Sequence, residues 1–358
     1  MTRSALFLLL FAAAAALTGC SLPYYWQAVG GQIELLRKRE PISRVLVDAG
    51  VSPEIKAALQ NVSEVREFAV ERLLLPSNGS YTTYVELERP YVVWNVVAAD
   101  EFSVLPERWC FPFAGCVAYR GFFERESAER FQARLTRKGL DTYLGGASAY
   151  STLGYFADPV LNTMLGGGEQ YIASLVFHEL AHQKLYVKDD SEFNEAFATA
   201  IEEYGTELWL RQRADHAALE QYHRRLRYRA DFADLVLAQQ ARLTAAFAAA
   251  VPPEAKRLAK SQVFDQMRAE YAVLKEEWGG VSDYDAWFAQ PLNNAVLASV
   301  ATYRRWLPGM RSRLRDVGLT AFYAEMQTLG ALDLGAREAE LEAMLHRALV
   351  SHSAAQAR

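Results

Sequence analysis

Residues 178 to 183 read His-Glu-Leu-Ala-His-Gln, and no other stretch restricts the fold of the chain as strongly. On a helix, His178 and His182 differ by about 40° in rotation and one turn in height, so both imidazoles project from one face. A single metal ion can meet both. Glu179 lies at the edge of that face, where an HExxH arrangement uses a carboxylate to take a proton from the water that the metal holds. The flanks carry Leu175, Val176, Leu180 and Leu185 at helical spacing with no Pro or Gly after Gly168, the pattern of a largely buried helix. Burying two imidazoles there without a ligand is costly.

Zinc in a catalytic role takes three protein ligands and keeps one position for water, so a third ligand must come from elsewhere. The extended pattern HExxHxxGxxH is not met, because Leu185 replaces the glycine and Lys188 the third histidine. A carboxylate is left. After the loop Lys188-Asp189-Asp190, Ser191 is placed to cap a second helix carrying Glu192, Phe193, Asn194, Glu195, Phe197 and Ile201. Glu195 is the expected third ligand.

HELAHQ followed by NEAFATAIE resembles the zinc site of the gluzincin aminopeptidases related to aminopeptidase N. Along most of its length the chain also resembles a family of Gram-negative lipoproteins catalogued as zinc aminopeptidases. The resemblance implies one zinc ion on His178, His182 and Glu195, Glu179 as general base, and Asn194 and Glu202 as residues that steady the ligands. Two departures stand out. The spacer from His182 to Glu195 holds 12 residues, shorter than in the aminopeptidase N group, and that group's amine-binding GAMEN strand is absent. Gly166-Gly167-Gly168-Glu169-Gln170 does not replace it, since Glu169 lies nine residues, roughly 13 Å of helix, before His178.

Met1 to Cys20 is organised as an export signal, with Arg3, an apolar run from Ala5 to Leu17, then Leu-Thr-Gly-Cys. The run is shorter than the roughly 20 residues that span a bilayer. The ending resembles a bacterial lipobox, which implies lipidation of Cys20 and a place at the periplasmic face of the outer membrane. Pro23 to Trp26 then forms an aromatic patch, to rest at the membrane surface or to dock as an N-terminal arm. Cys110 and Cys116 remain, spaced for a small disulfide loop in an oxidising compartment. A net charge of −5 and no basic stripe with interleaved aromatics exclude nucleic acid as a partner.

At 51% hydrophobic content the chain can bury a sizeable core. The pattern predicts helices over Gln32 to Lys38, Ser52 to Leu75 and Glu124 to Lys138. It predicts strands over Tyr81 to Leu87, Tyr91 to Ala98, Val117 to Phe123, Asp141 to Leu144 and Ser148 to Phe156, the first two as neighbours. Ser151 to Tyr155 is the candidate edge strand beside the metal. From Ser191 onward nearly everything reads as helix, broken at Pro252-Pro253, Gly279-Gly280, Pro291, Pro308-Gly309 and Gly330. His216 and His223 fall in an arginine-rich run that reads as solvated surface.

The expected fold is α+β, a zincin-like metallopeptidase core with a small mixed sheet and the HExxH helix. Residues 1–20 form the signal, 21–210 the catalytic region and 211–358 a largely helical C-terminal region. The expected function is hydrolysis of peptides by an aminopeptidase. The same zinc chemistry would serve an endopeptidase or a cell-wall peptide hydrolase, and a non-catalytic lipoprotein with a vestigial site is the third reading. An oxyanion donor is also required, for which Tyr303 is the candidate, with Tyr204, Tyr222, Tyr228, Tyr271 and Tyr284 open. In an aminopeptidase a further carboxylate must meet the substrate ammonium, and Glu203, Asp189 and Asp190 are the candidates.

Overall fold

The computed structural model describes residues 22–111, 115–301 and 305–356. Helix α1 (Leu22–Arg37), the short β1 (Glu40–Pro41), α2 (Ile42–Val47) and α3 (Pro53–Leu73) lead into strands β2 (Thr83–Val85), β3 (Val93–Ala99), β4 (Trp109–Phe111), β5 (Gly115–Val117) and β6 (Arg120–Phe122). Helix α4 (Arg125–Thr136), strands β7 (Asp141–Ala147) and β8 (Val160–Leu161) and a 3-10 turn over Asn162–Gly167 precede the paired helices α5 (Gly168–Lys184) and α6 (Ser191–Gln212). The remainder is helical: α7 (His216–Ala248), α8 (Pro253–Glu277), α9 (Asp285–Ala289), α10 (Asn294–Ala301), α11 (Leu307–Gly330) and α12 (Leu334–Gln356). The architecture is α+β, as the residue pattern predicts.

Helix α3 starts where Ser52 Oγ accepts the Ile55 N–H and Pro53 occupies the first turn. Its Leu59, Val62, Val65, Phe68, Ala69 and Leu73 recur at three and four residues and are buried against α5. Helix α6 is buried nearly all round, packed between α5, α3, α7 and α11, so its Asn194, Glu202, Glu203 and Thr206 are buried with its apolar residues. At Gly205 a Cβ would lie 2.5 Å from Leu73 Cδ1 and 2.9 Å from Phe177 Cδ2, so α6 approaches its neighbours as closely as a side-chain-free residue allows. A buried Ser174–Thr206 hydroxyl bond of 3.0 Å ties α5 to α6 one turn from the histidines.

Three small sheets flank this pair. β1 pairs antiparallel and β8 parallel with β2; β6 and β7 pair antiparallel with β3; β4 and β5 form a hairpin. β7 pairs along its whole length, from Ala147 opposite Val93 to Asp141 opposite Ala99, and lies at the sheet's edge. Helix α4 covers one face of β3 through Phe131 and Leu135, and α10 covers the other through Ala295 and Ala298.

Three local expectations need correction. β2 and β3 fall in different sheets, because Glu88 takes a left-handed φ of 53° and Pro90 has no N–H for a ladder, so the chain turns away between them. Ser148 to Phe156 is not a strand. Its backbone bonds locally instead: the Asp158 carboxylate accepts from Thr152 N at 3.1 Å and Thr152 Oγ1 at 2.7 Å, and Thr152 Oγ1 accepts from Phe156 N at 3.1 Å. The edge strand is β7. Val117 to Phe123 is not one strand: its ends belong to β5 and β6, which lie in different sheets. Pro308 falls in the first turn of α11, at the helix break the sequence marks, and a kink inside α11 comes at Gly318, with φ 75°.

Candidate metal centre

α5 and α6 run side by side and bring three groups together: His178, His182 and Glu195 place a nitrogen or carboxylate oxygen within 4.8 Å of one another. The two Nε2 atoms are 3.1 Å apart, and Glu195 lies 3.3 Å from His178 Nε2 and 3.7 Å from His182 Nε2. Donors about 2.0–2.1 Å from a tetrahedral zinc are separated by roughly 3.3 Å, so the spacing of this trio fits that ion. The electrostatics fit as well. Burial opposes charge on His178, yet its hydrogen bonds to Glu195 and Glu202 outweigh that and hold its pKa well above the ordinary value. The same surroundings favour a cation among the donors. Burial likewise opposes the Glu195 carboxylate, and His182 and His178 overcome it and lower its pKa.

Glu202, two turns after Glu195, reaches the far side of His178: its Oε2 is 3.1 Å from Nδ1, and its Oε1 accepts from Arg229 Nη1 of α7 at 3.2 Å. Asn194 acts on the connection between the helices. Its Oδ1 accepts the Val187 N–H and its Nδ2 donates to the Val187 carbonyl, both at 2.7 Å, so the residue before Glu195 clamps the loop that follows α5. The N-cap of α6 is Asp190 rather than Ser191. Asp190 Oδ1 accepts the Phe193 N–H at 3.0 Å, and its Oδ2 takes Arg337 Nε of α12 at 2.7 Å. Gln183, the last residue of HELAHQ, donates to Asp158 Oδ2 at 3.2 Å and accepts from Asn78 Nδ2 at 2.7 Å, anchoring the end of α5 to the loops beside it.

Cys110 and Cys116 are joined by a disulfide across the β4–β5 hairpin. The hairpin docks on the loop between α5 and α6: Cys116 N donates to Asp189 Oδ1 at 2.7 Å, and Arg108 Nη2 donates to the Asp189 carbonyl at 2.8 Å. Asp189 itself has φ 69°. Gly115, with φ 75°, permits the contact, since a Cβ there would lie 2.5 Å from Asp189 Oδ1.

Two cavities open at the centre. One of about 210 Å³ is lined by Glu195, Tyr119, Ser191 and, from β7, Tyr143, Gly145 and Gly146. The other, of about 510 Å³, runs along α5 past Gln170 and Ser174 to His178 and Glu179, with Glu202 and the α7 residues Tyr222, Arg225 and Arg229 as its second wall. Burial, offset in part by His178 and His182, raises the pKa of Glu179. Burial also raises the Tyr119 phenol, with Glu195 and Glu179 adding to the effect, so that ring lies in the field of both carboxylates. Tyr119 occupies the turn between β5 and β6, which offers no sequence signal for a site residue.

The candidates for an ammonium partner are placed otherwise. Glu203 is buried in an ion pair of 3.2 Å with Arg311 of α11, while Asp189 and Asp190 hold the loop as described. Tyr303 and Cys20 lie outside the described residues. Tyr271 belongs to a separate apolar cluster, with Tyr228 and Tyr284 packed against it. Tyr204 packs on the main core, and Tyr222 is buried in the wall of the larger cavity.

A family model described as "Putative aminopeptidase" matches residues 23–341 of the chain. No curated protein and no solved structure matches it.

Proposed function

The chain belongs to this aminopeptidase family, and on that premise we propose that it is a zinc-dependent peptidase holding one zinc ion on His178, His182 and Glu195. The convergence of these donors beside the partly buried Glu179 carries the reading. When bound, zinc supplies Lewis acidity, which lowers the pKa of a water and polarises the scissile carbonyl. Glu179 takes the proton of the attacking water and passes it to the leaving amine. Tyr119 donates its hydroxyl hydrogen to the developing oxyanion from the Glu195 side. The edge strand β7, whose Gly145 and Gly146 line the same cavity, pairs with the substrate backbone.

The experiment is hydrolysis of unblocked short peptides by the purified protein, chelator-treated and then resupplied with zinc. The reading requires loss and return of activity; hydrolysis that survives complete removal of the metal contradicts it.

One observation favours a second reading, an endopeptidase or cell-wall peptide hydrolase. The acidic residues lining the two cavities are Glu179, Glu195 and Glu202, each already engaged at the centre, and a buried ammonium needs its own counter-charge. Comparing a peptide with its N-acetylated form separates the two. Cleavage of the free amine alone supports the aminopeptidase, and equal rates support the second reading with the metal site unchanged.

The protein works at the membrane through a lipid on Cys20, at the periplasmic face of the outer membrane. Among the described residues no helix is long and apolar enough to cross a bilayer. α1 begins at Leu22 and exposes Trp26 (83%), Val29 and Ile33 along one stripe, while Gly31 and Leu35 face the protein. A stripe of this kind beside an acylated cysteine supports a helix lying on the lipid surface.

A further inference from the structure

The larger cavity has a polarity that the peptidase chemistry alone does not require. Its lining runs from Gly167, just before α5, along one face of that helix through Gln170 and Ser174 to His178 and Glu179, so it is a channel along the helix that ends at the general base. Its second wall is α7, whose arginine-rich stretch turns one face inward. Arg229 is committed to Glu202 at 3.2 Å. Arg225, one turn earlier on the same face, is exposed at the cavity and has no acidic partner among the described residues. The channel therefore carries an unneutralised guanidinium one helical turn from Arg229, and it reaches the proton donor for the leaving amine.

We propose that this channel receives the fragment of substrate beyond the scissile bond, and that Arg225 binds its free C-terminal carboxylate. The inference rests on the peptidase reading. Glu179 delivers its proton to the leaving amine, so the fragment that bears this amine lies against Glu179 and in the channel that Glu179 lines. The reach is short. Arg225 and Arg229 are about 6 Å apart along α7, and Arg229 connects through Glu202 to His178 by contacts of 3.2 and 3.1 Å. That span matches about two to four residues of extended chain. A planar guanidinium suits a carboxylate, which it can bind in a bidentate manner. The substrate class is thus a short peptide with a free carboxyl end, recognised by that end.

The test uses Glu179→Gln protein loaded with zinc, which binds without turnover, and a tripeptide such as Ala-Ala-Ala as free acid and as C-terminal amide, titrated by calorimetry. The free acid is expected to bind on the order of tenfold more tightly. Adding Arg225→Gln should erase the difference, and Arg225→Lys should restore part of it. In the active protein the same preference should appear in KM and shrink as the peptide lengthens. Equal binding of acid and amide, binding of neither, or a preference that survives Arg225→Gln would overturn the assignment. Zinc-dependent hydrolysis of both peptides at equal rates would do so while leaving the peptidase reading intact.

Discussion

Glu202 and His178 share a 3.1 Å contact on the side of the imidazole that faces away from Glu195, and the other Glu202 oxygen is held by Arg229. His182 has no equivalent: its Nδ1 is buried with no hydrogen-bond partner among the described residues. One histidine of the pair is thus held by a carboxylate at its Nδ1 and the other is not. Glu202→Ala should weaken zinc binding by about 10–100-fold without removing a ligand, as loss of a ligand's hydrogen-bonded support does. Competition with a chelator of known affinity measures it, and an unchanged affinity would remove Glu202 from the centre.

Glu179→Gln keeps the shape of the side chain and removes the base. The variant should retain its zinc and lose about 10²–10⁴-fold in hydrolysis. Parallel metal analysis and kinetics check both halves, and near-parental activity would transfer the proton chemistry to another group.

The disulfide hairpin holds Asp189, which belongs to the loop between the ligand-bearing helices. Cys110→Ser with Cys116→Ser should lower stability by about 2 kcal/mol. It should also weaken zinc binding by less than Glu202→Ala does, because the Asn194 and Asp190 clamps remain. Thermal melts and chelator competition in the presence and absence of reductant follow both effects. A loss of stability with zinc affinity untouched would show that the loop is set by those clamps alone.

Cys20→Ala should release the protein from membranes, since acyl chains and not a protein helix are proposed to hold it there. Fractionation of cells reads this directly. A variant that stays in the membrane with its first 20 residues attached would mean an uncleaved anchor.

Much of the core was legible in the residues because it obeys a period. The 3.6-residue repeat of α3 and the breakers between the C-terminal helices fall where the pattern predicts them. The proximity of His178, His182 and Glu195 follows from two helices joined by a short loop. What escaped is decided by distant partners. Ser148 to Phe156, bounded by Asp158-Pro159, reads as a strand, but the Asp158 side chain turns it into a loop, and the edge role passes to β7. The α7 run from His223 to Arg229 reads as solvated surface, and only the fold shows Arg229 on Glu202 and Arg225 in a cavity. Asp189, Asp190 and Glu203 are the candidates for a substrate's ammonium because they neighbour the ligands in sequence. Each is used by a residue far along the chain: Cys116, Arg337 and Arg311.

The central claim is the identity of the ligand set, and zinc stoichiometry across single variants tests it most directly. The parent chain should hold about one zinc per molecule, as a site with three protein ligands and one water requires. His178→Ala, His182→Ala and Glu195→Ala should each lose it after dialysis, and Glu202→Ala should keep it at high zinc. If Glu195→Ala holds zinc as tightly as the parent while Glu202→Ala loses it, the ligand is Glu202 and the account of the centre is wrong.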